Sequence, residues 1–339
     1  MMWDIFIANM TSPAVLFFAL GLIASQLKSD LKIPNGLSET LSIYLLVAIG
    51  LKGGIELSKY PLSVLVSPIA GGLLLGLIIP LLTVFVLRKL KLDMYNAVAL
   101  AATYGSVSIV TFGAAVDFLE KTGTSYETYM SAIVAIMELP ALMISLFLLN
   151  MFKNAAIPSS AAPSTLYSSL LPIFRKGFDF HVIKECLSGK SVLLLLGSLF
   201  IGLLSGQEAL PIVKPLFIDL YRGFLLLFLL SMGIVCGAQI NGLKRNGFVL
   251  IGFAITAPLL YGALGILVGK AAGLSIGSGM LMGVLAASAS YIAAPAALKS
   301  SVPEANPSIY LGLALGVTFP FNLAIGIPFY LWLTQVLYS

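Results

Sequence analysis

Charged side chains are scarce in this sequence, and their scarcity excludes a protein surrounded by water. Asp, Glu, Lys and Arg make up 10% of the 339 residues, whereas soluble domains carry roughly 25%. Hydrophobic residues make up 59%, and the net charge is +5. In a membrane protein such a positive excess lies in the loops, where it sets the orientation of the helices. We therefore predict a membrane protein with no nucleic-acid partner.

Residues that commonly carry enzymatic chemistry are also few. The only histidine is His181, and the two cysteines, Cys186 and Cys236, form no metal or redox motif. A G-x-S-x-G match at 273–277 resembles a hydrolase elbow, but that motif needs a strand–turn–helix setting and a histidine partner. We predict neither an enzyme nor a cofactor, and an intramembrane enzyme is the weakest alternative.

Long apolar runs dominate the chain, and about 20 such residues cross a bilayer as a helix. We predict an all-α polytopic membrane protein with about ten transmembrane helices. A first five-helix repeat (1–152) and a second (191–339) flank a polar linker (153–190). The predicted spans are 13–27, 37–57, 62–87, 94–118, 127–152, 191–206, 212–238, 247–269, 277–300 and 308–337.

The distribution of Lys and Arg predicts the orientation. Most of them fall on the same side of the membrane as the linker. We predict a location in the cell inner (plasma) membrane, and the positive-inside rule places the linker in the cytoplasm and both termini on the outside. Lys52, Glu56 and Asp117 lie near helix ends, where charged side chains reach the membrane surface. Asp219 and Arg222 are three residues apart on one predicted helix, a spacing typical of local ion pairing.

Two pairs of segments indicate an internal repeat. Residues 46–57 resemble 229–240, which aligns Gly50 with Gly233 and Gly54 with Gly237. Residues 101–115 resemble 283–297 at nearly the same separation along the chain. Because each half has an odd number of helices, the second half must enter the membrane from the opposite side. The repeat is therefore predicted to be inverted (5+5), with a site at the midplane between the halves.

The second pair of segments contains the candidate site. Residues 103–108 and 287–290 are rich in small and hydroxyl-bearing side chains, which predicts that helices 4 and 9 are broken there. A broken helix leaves free N–H groups that favour an anion, and free carbonyl groups that suit Na⁺. The alternative is unbroken helices whose serines bond to the preceding turn. The predicted substrate-binding residues are Gly105, Ser106, Ser108, Ser288 and Ser290.

Glu138 is the second candidate, because it lies near the middle of the fifth span. A carboxylate at bilayer depth is costly and is a functional candidate by default. It is predicted to bind a coupling Na⁺ or to carry a proton. A structural hydrogen bond to a neighbouring helix is the alternative.

The sequence resembles the cyanobacterial sodium-dependent bicarbonate symporter family in several short motifs. They occur in the same order over nearly the whole chain, and their order and spacing carry the resemblance. The matching stretches are 33–34, 49–54, 125–127, 138–142, 222–224, 232–233 and 303–310.

The resemblance implies a fold and an activity. The fold has core and gate domains, assembles as a homotrimer and carries its substrate between the broken helices 4 and 9. The activity is sodium-coupled bicarbonate uptake, regulated on the cytoplasmic side by a PII-like protein. By position, Ser106, Ser108, Ser288 and Ser290 line the site, and Glu138 stands where the family has an aspartate.

One position departs from the family. Tyr291 replaces an aspartate that follows the second serine pair, which removes a carboxylate from beside the ion site. We expect Thr103, Glu138 and Tyr291 to take part in ion binding or coupling, with Na⁺ near Glu138 and Ser288. Another small anion or coupling ion, an organic-anion carrier, a cation/proton exchanger and a non-transporting sensor or scaffold are alternatives. The linker is also shorter than in the family, which weakens the inference of a PII-like partner.

Overall fold

The protein, for which we use a computed structural model, is described over residues 2–31, 33–155, 187–243 and 247–339. Across these residues the structure is helical and contains no β-strand. The helices are α1 (Met2–Met10), α2 (Pro13–Gln26), α3 (Asn35–Leu57), α4 (Leu62–Lys89), α5 (Met94–Gly105), α6 (Ile109–Lys121), α7 (Met130–Ala155), α8 (Lys190–Ser205), α9 (Tyr221–Leu243), α10 (Gly247–Ala271), α11 (Ile276–Ala287), α12 (Ala293–Ser301) and α13 (Pro307–Tyr338).

Length and composition make this a membrane architecture. Within the described residues, seven helical segments are long and apolar enough to cross a membrane, and α2 and α11 are shorter apolar helices. The prediction of an all-helical protein with several membrane spans is therefore confirmed. Most of the predicted linker lies outside the described residues, as do His181 and Cys186.

The helices differ from the predicted spans in two places. Helix α1 precedes the first predicted span and was not predicted. The span predicted at 212–238 starts with two short turns, Leu210–Lys214 and Pro215–Asp219, and the long helix α9 begins only at Tyr221. Two prolines, Pro211 and Pro215, lie in these turns, and proline fits only the first turn of a regular helix without distorting it.

Two close helix pairs form one part of the molecule. Helix α2 packs on α9 where Gly21 meets Gly233, and α3 packs on α8 where Gly54 meets Gly202. A Cβ atom at any of these glycines would collide with the backbone of the opposite helix. Inside a bilayer the hydrophobic effect does not drive helices together. Small residues at such crossings allow close backbone packing, which stabilises the helix pair instead.

The remaining long helices surround the broken ones. Helices α4 and α10 expose large apolar side chains, such as Phe85 and Leu260, as expected of a surface that faces lipid. By contrast, α5, α6 and α11 are buried along nearly their whole length. The interruptions between α5 and α6 and between α11 and α12 therefore lie in the interior.

Candidate functional site

Both predicted interruptions are present in the structure. Helix α5 ends at Gly105, and α6 begins at Ile109. Helix α11 ends at Ala287, and α12 begins at Ala293. The first residue after each helix has extended backbone, with φ −79° and ψ 169° at Ser106 and φ −81° and ψ 161° at Ser288. The helices are therefore broken, and the alternative of unbroken helices is wrong, although the hydroxyl of Ser288 does donate to the carbonyl of Leu285 in the preceding turn at 2.9 Å.

The two interruptions contact each other directly. The backbone N–H of Ser108 donates to the hydroxyl of Ser288 at 2.9 Å. In the other direction, the N–H of Ser290 donates to the carbonyl oxygen of Thr103 at 2.8 Å. Backbone groups freed by breaking one helix are thus satisfied by the other, which buried polar groups require.

The second serine of each segment accepts a hydrogen bond from an N–H in the first turn of the helix that follows, and Ser108 is the N-cap of its helix. Ser108 Oγ accepts from the N–H of Thr111 at 3.2 Å and from its hydroxyl at 2.9 Å. Ser290 Oγ accepts from the N–H of Ala294 at 3.2 Å. Serine is a favoured N-cap because its oxygen satisfies one of the free N–H groups of the first turn. These two hydroxyls therefore lie at the N-terminal ends of α6 and α12.

Glu138 lies beside the first interruption. Its side chain comes from α7, is 1% exposed and accepts a 2.8 Å hydrogen bond from the hydroxyl of Ser106. The structural hydrogen bond considered as an alternative is therefore present, but its partner is one of the predicted site residues.

A small cavity lies where these groups meet. Its volume is about 10 Å³, close to the space that one water molecule requires. The polar side chains that line it are Ser108, Glu138, Ser290 and Tyr291; apolar contacts come from Leu46, Val107, Ile109, Ile292 and Ala293. The contribution of Leu46 places α3 against the interruptions, which no sequence pattern indicated.

Tyr291 contributes a hydroxyl that has no hydrogen bond. The side chain is 9% exposed, and its hydroxyl faces Ser108 without hydrogen-bond geometry to any described residue. The ring packs edge-to-face on Phe319. An unsatisfied buried hydroxyl is costly, so its position at the cavity indicates a group that is available to a ligand.

The other predicted site residues lie around the cavity rather than on its wall. Ser106 and Ser288 hold Glu138 and Ser108 in place through the bonds described above. The hydroxyl of Thr103 bonds the carbonyl of Ala99, one turn earlier. Gly105 packs against Pro80 and Ala141, where a Cβ atom would collide. Their functional roles remain predictions.

Two further sequence matches find structural explanations. Ser275, in the G-x-S-x-G match, is the N-cap of α11 and donates to Glu127 at 2.9 Å. Arg222 pairs with Asp117 at 3.4 Å and with Glu120, so the predicted local pair with Asp219 is wrong. Among the described residues, no group of three His, Cys, Asp or Glu side chains could hold a metal ion.

Comparison with known proteins completes the description. No curated protein matches the chain. Residues 13–335 match the Na⁺-dependent bicarbonate transporter superfamily, a family of transporters rather than enzymes. The match spans both interruptions, Glu138 and all the long helices. The chain therefore belongs to the Na⁺-dependent bicarbonate transporter superfamily.

Proposed function

We propose that this protein takes up bicarbonate together with Na⁺ across the cell inner membrane by alternating access. The observation that carries the proposal is the cavity between the two broken helices, which Ser108, Glu138, Ser290 and Tyr291 line. Paired helix breaks that meet in the membrane interior are typical of secondary transporters. The cavity has the volume of about one water molecule in this structure, so it has to widen during the alternating-access movement to admit bicarbonate.

The polar groups divide into those that suit an anion and those that suit a cation. The first N–H groups of α6 and the hydroxyl of Tyr291 are donors that favour bicarbonate. The carboxylate of Glu138 and the oxygens of Ser108 and Ser290 suit a hard cation such as Na⁺. A sodium ion beside Glu138 shields the anion from the buried carboxylate, so the two cargoes stabilise each other.

The packing of repeat-related glycines supports the inverted 5+5 arrangement. Gly50 and Gly54 on α3 pack on α8, whereas Gly233 and Gly237 on α9 pack on α2. Each half therefore uses the same two glycines to hold the first helix of the other half. The proposed gate domain comprises α2, α3, α8 and α9, and the proposed core comprises α4–α7 and α10–α13.

The proposed homotrimer and the PII-like regulator on the cytoplasmic side follow from the resemblance alone. The proposed orientation, with a cytoplasmic linker and both termini outside, follows from the distribution of Lys and Arg. The linker, where such a regulator is expected to bind, lies largely outside the described residues.

Uptake of labelled bicarbonate into proteoliposomes tests the proposal. We expect an inward sodium gradient to accelerate uptake, and protein-free vesicles to show none of this acceleration. Flux driven by a proton gradient without sodium dependence would favour a cation/proton exchanger. Bicarbonate binding without flux would favour a sensor or scaffold.

A further inference from the structure

A second cavity lies next to the serine-lined one, toward the C-terminal ends of α3 and α6. Its volume is about 40 Å³, three to four times the roughly 10–15 Å³ needed for one water. This is enough space for an ion of four heavy atoms. Its wall comes from α3, α6, the segment before α7, the Pro215–Asp219 turn and Tyr221 at the start of α9.

Lys52 is the charged side chain in this wall among the described residues. It is half-buried, and no described carboxylate lies within 4 Å of its ammonium group. A buried ammonium without a counter-ion is unfavourable, because burial costs several kcal/mol that only a paired charge offsets. An anion in the cavity would supply the direct contact that Lys52 lacks within the described residues.

The neighbouring carboxylates are already occupied by other groups. Glu56, one turn beyond Lys52, bonds Lys59 at 2.7 Å and the hydroxyl of Thr128 at 2.5 Å. Asp117 and Glu120 pair with Arg222. These carboxylates thus have closer partners than Lys52, which interacts with Glu56 only at longer range and lines the cavity.

Tyr221 supplies a second donor. Its hydroxyl is buried, lies over Gly113 and has no hydrogen-bond partner among the described residues. The other hydroxyls in the wall are bonded within the chain: Tyr126 donates to Glu120, Thr128 to Glu56 and Ser131 to the carbonyl of Thr128. The free groups at this cavity are therefore a cation and a hydroxyl donor, which together suit a small oxyanion.

The two cavities follow one another along the same two helices. On α6, Ile109 lines the serine cavity and Gly113 lines the Lys52 cavity; on α3, the corresponding residues are Leu46 and Lys52. At 1.5 Å per helical residue these separations correspond to about 6 and 9 Å. The two cavities thus lie about one to two helical turns apart along the same helices.

We propose that the Lys52 cavity is a second anion site, where a bicarbonate-sized oxyanion binds before it moves along α3 and α6 to the serine cavity. The identity of the anion and the inward direction rest on the proposed function. The second site itself rests on Lys52, Tyr221 and the cavity between them.

Bicarbonate binding measured in the absence of sodium distinguishes the two sites, because the serine cavity is expected to need Na⁺ to bind the anion tightly. The measurement is the broadening of the ¹³C signal of labelled bicarbonate by purified protein in choline buffer. We expect broadening with the wild type and with Ser290→Ala, and loss of most broadening with Lys52→Gln. Lys214→Gln removes an exposed lysine away from the cavity and is expected to behave like the wild type. Equal broadening by Lys52→Gln, or none by the wild type, would overturn the proposal.

Bicarbonate transport provides the second readout. It includes a milder variant, Tyr221→Phe, so that the site can still be tested if the Lys52 variant misfolds. We expect Lys52→Gln to raise the half-saturating bicarbonate concentration about tenfold, and Tyr221→Phe about threefold, as for a lost charged and a lost neutral hydrogen bond. Unchanged values in both variants would contradict the site. If the wild type shows no uptake while the broadening depends on Lys52, the proposed function fails and the second anion site stands.

Discussion

The two interruptions occupy matching positions in the two halves, but they are stabilised differently. The first covers residues 106–108, and Ser108 caps the helix that follows it. The second covers 288–292; its last residue, Ile292, occupies the N-cap position of α12 without a side-chain cap, and the N–H of Ala294 is bonded instead by Ser290, two residues earlier. Glu138 lies beside the first, whereas the second presents the unbonded hydroxyl of Tyr291. From this difference we propose a division between the two interruptions. The first, with Glu138, holds the cation, and the second contacts the anion through Tyr291.

Replacing Glu138 with Gln should have the largest effect on this division. The substitution preserves the shape but removes the negative charge that we propose balances Na⁺. We expect sodium-driven bicarbonate uptake to fall about ten- to hundredfold, as for the loss of a charge-assisted interaction. The control is Glu39→Gln, which removes a carboxylate that pairs with Lys190 away from the cavity. Uptake within twofold of the wild type in Glu138→Gln would show that the charge is not needed.

Two serine-to-alanine changes should have the next largest effects and should distinguish the roles of the two interruptions. Ser106→Ala removes the donor to Glu138, so we expect the half-saturating sodium concentration to rise about tenfold. Ser288→Ala leaves the N–H of Ser108 without an acceptor, which should destabilise the fold by about 1–3 kcal/mol at any sodium concentration. Uptake kinetics at varied sodium and thermal unfolding in detergent measure the two effects. An identical response of both variants to sodium would contradict the division.

A glycine-to-alanine change tests why the helix before the first interruption ends at a glycine. At the position that matches Gly105 the second half has Ala287, whose carbonyl accepts from Asn322 at 2.8 Å. A methyl group at Gly105 would overlap Pro80, so Gly105→Ala should destabilise the protein by about 1–3 kcal/mol. Gly197→Ala, on α8 with no neighbour within 4 Å, should leave the unfolding temperature unchanged or slightly higher. Equal unfolding temperatures for the two variants would contradict the packing argument.

Tyr291→Phe should have the smallest effect, and a selective one. Because the hydroxyl has no partner within the described chain, its removal should not lower the unfolding temperature. We expect the half-saturating bicarbonate concentration to rise about threefold, as for one neutral hydrogen bond. Tyr104→Phe provides the contrast, since that hydroxyl bonds Thr318 at 2.6 Å and its loss should reduce stability. An unchanged bicarbonate dependence would show that Tyr291 does not touch the anion.

Much of the architecture could be predicted because a bilayer imposes it on the sequence. Apolar length gave the helices, and the repeated small-polar segments gave the positions of both interruptions. Helix α1 was missed because its stretch, Met2–Met10, is too short to span a membrane. The start of α9 was misplaced because the apolar run continues through the Pro215 turn.

The side-chain environment of the site was less predictable, because it depends on contacts between distant parts of the chain. Ser108 and Ser290 were expected together, but nothing local indicated that Ser288 accepts from Ser108 or that Leu46 closes the cavity. Lys52 was expected to reach the membrane surface; instead it faces a cavity that five segments build together. Arg222 likewise pairs across the fold with Asp117 and Glu120.

The most direct test of the account is an experimental structure in lipid nanodiscs with bicarbonate and sodium bound. The account predicts density for an anion beside the hydroxyl of Tyr291, with a cation next to Glu138 and the hydroxyl oxygens of Ser108 and Ser290. Continuous helices through 106–108 and 288–292, or cargo bound away from both interruptions, would contradict it.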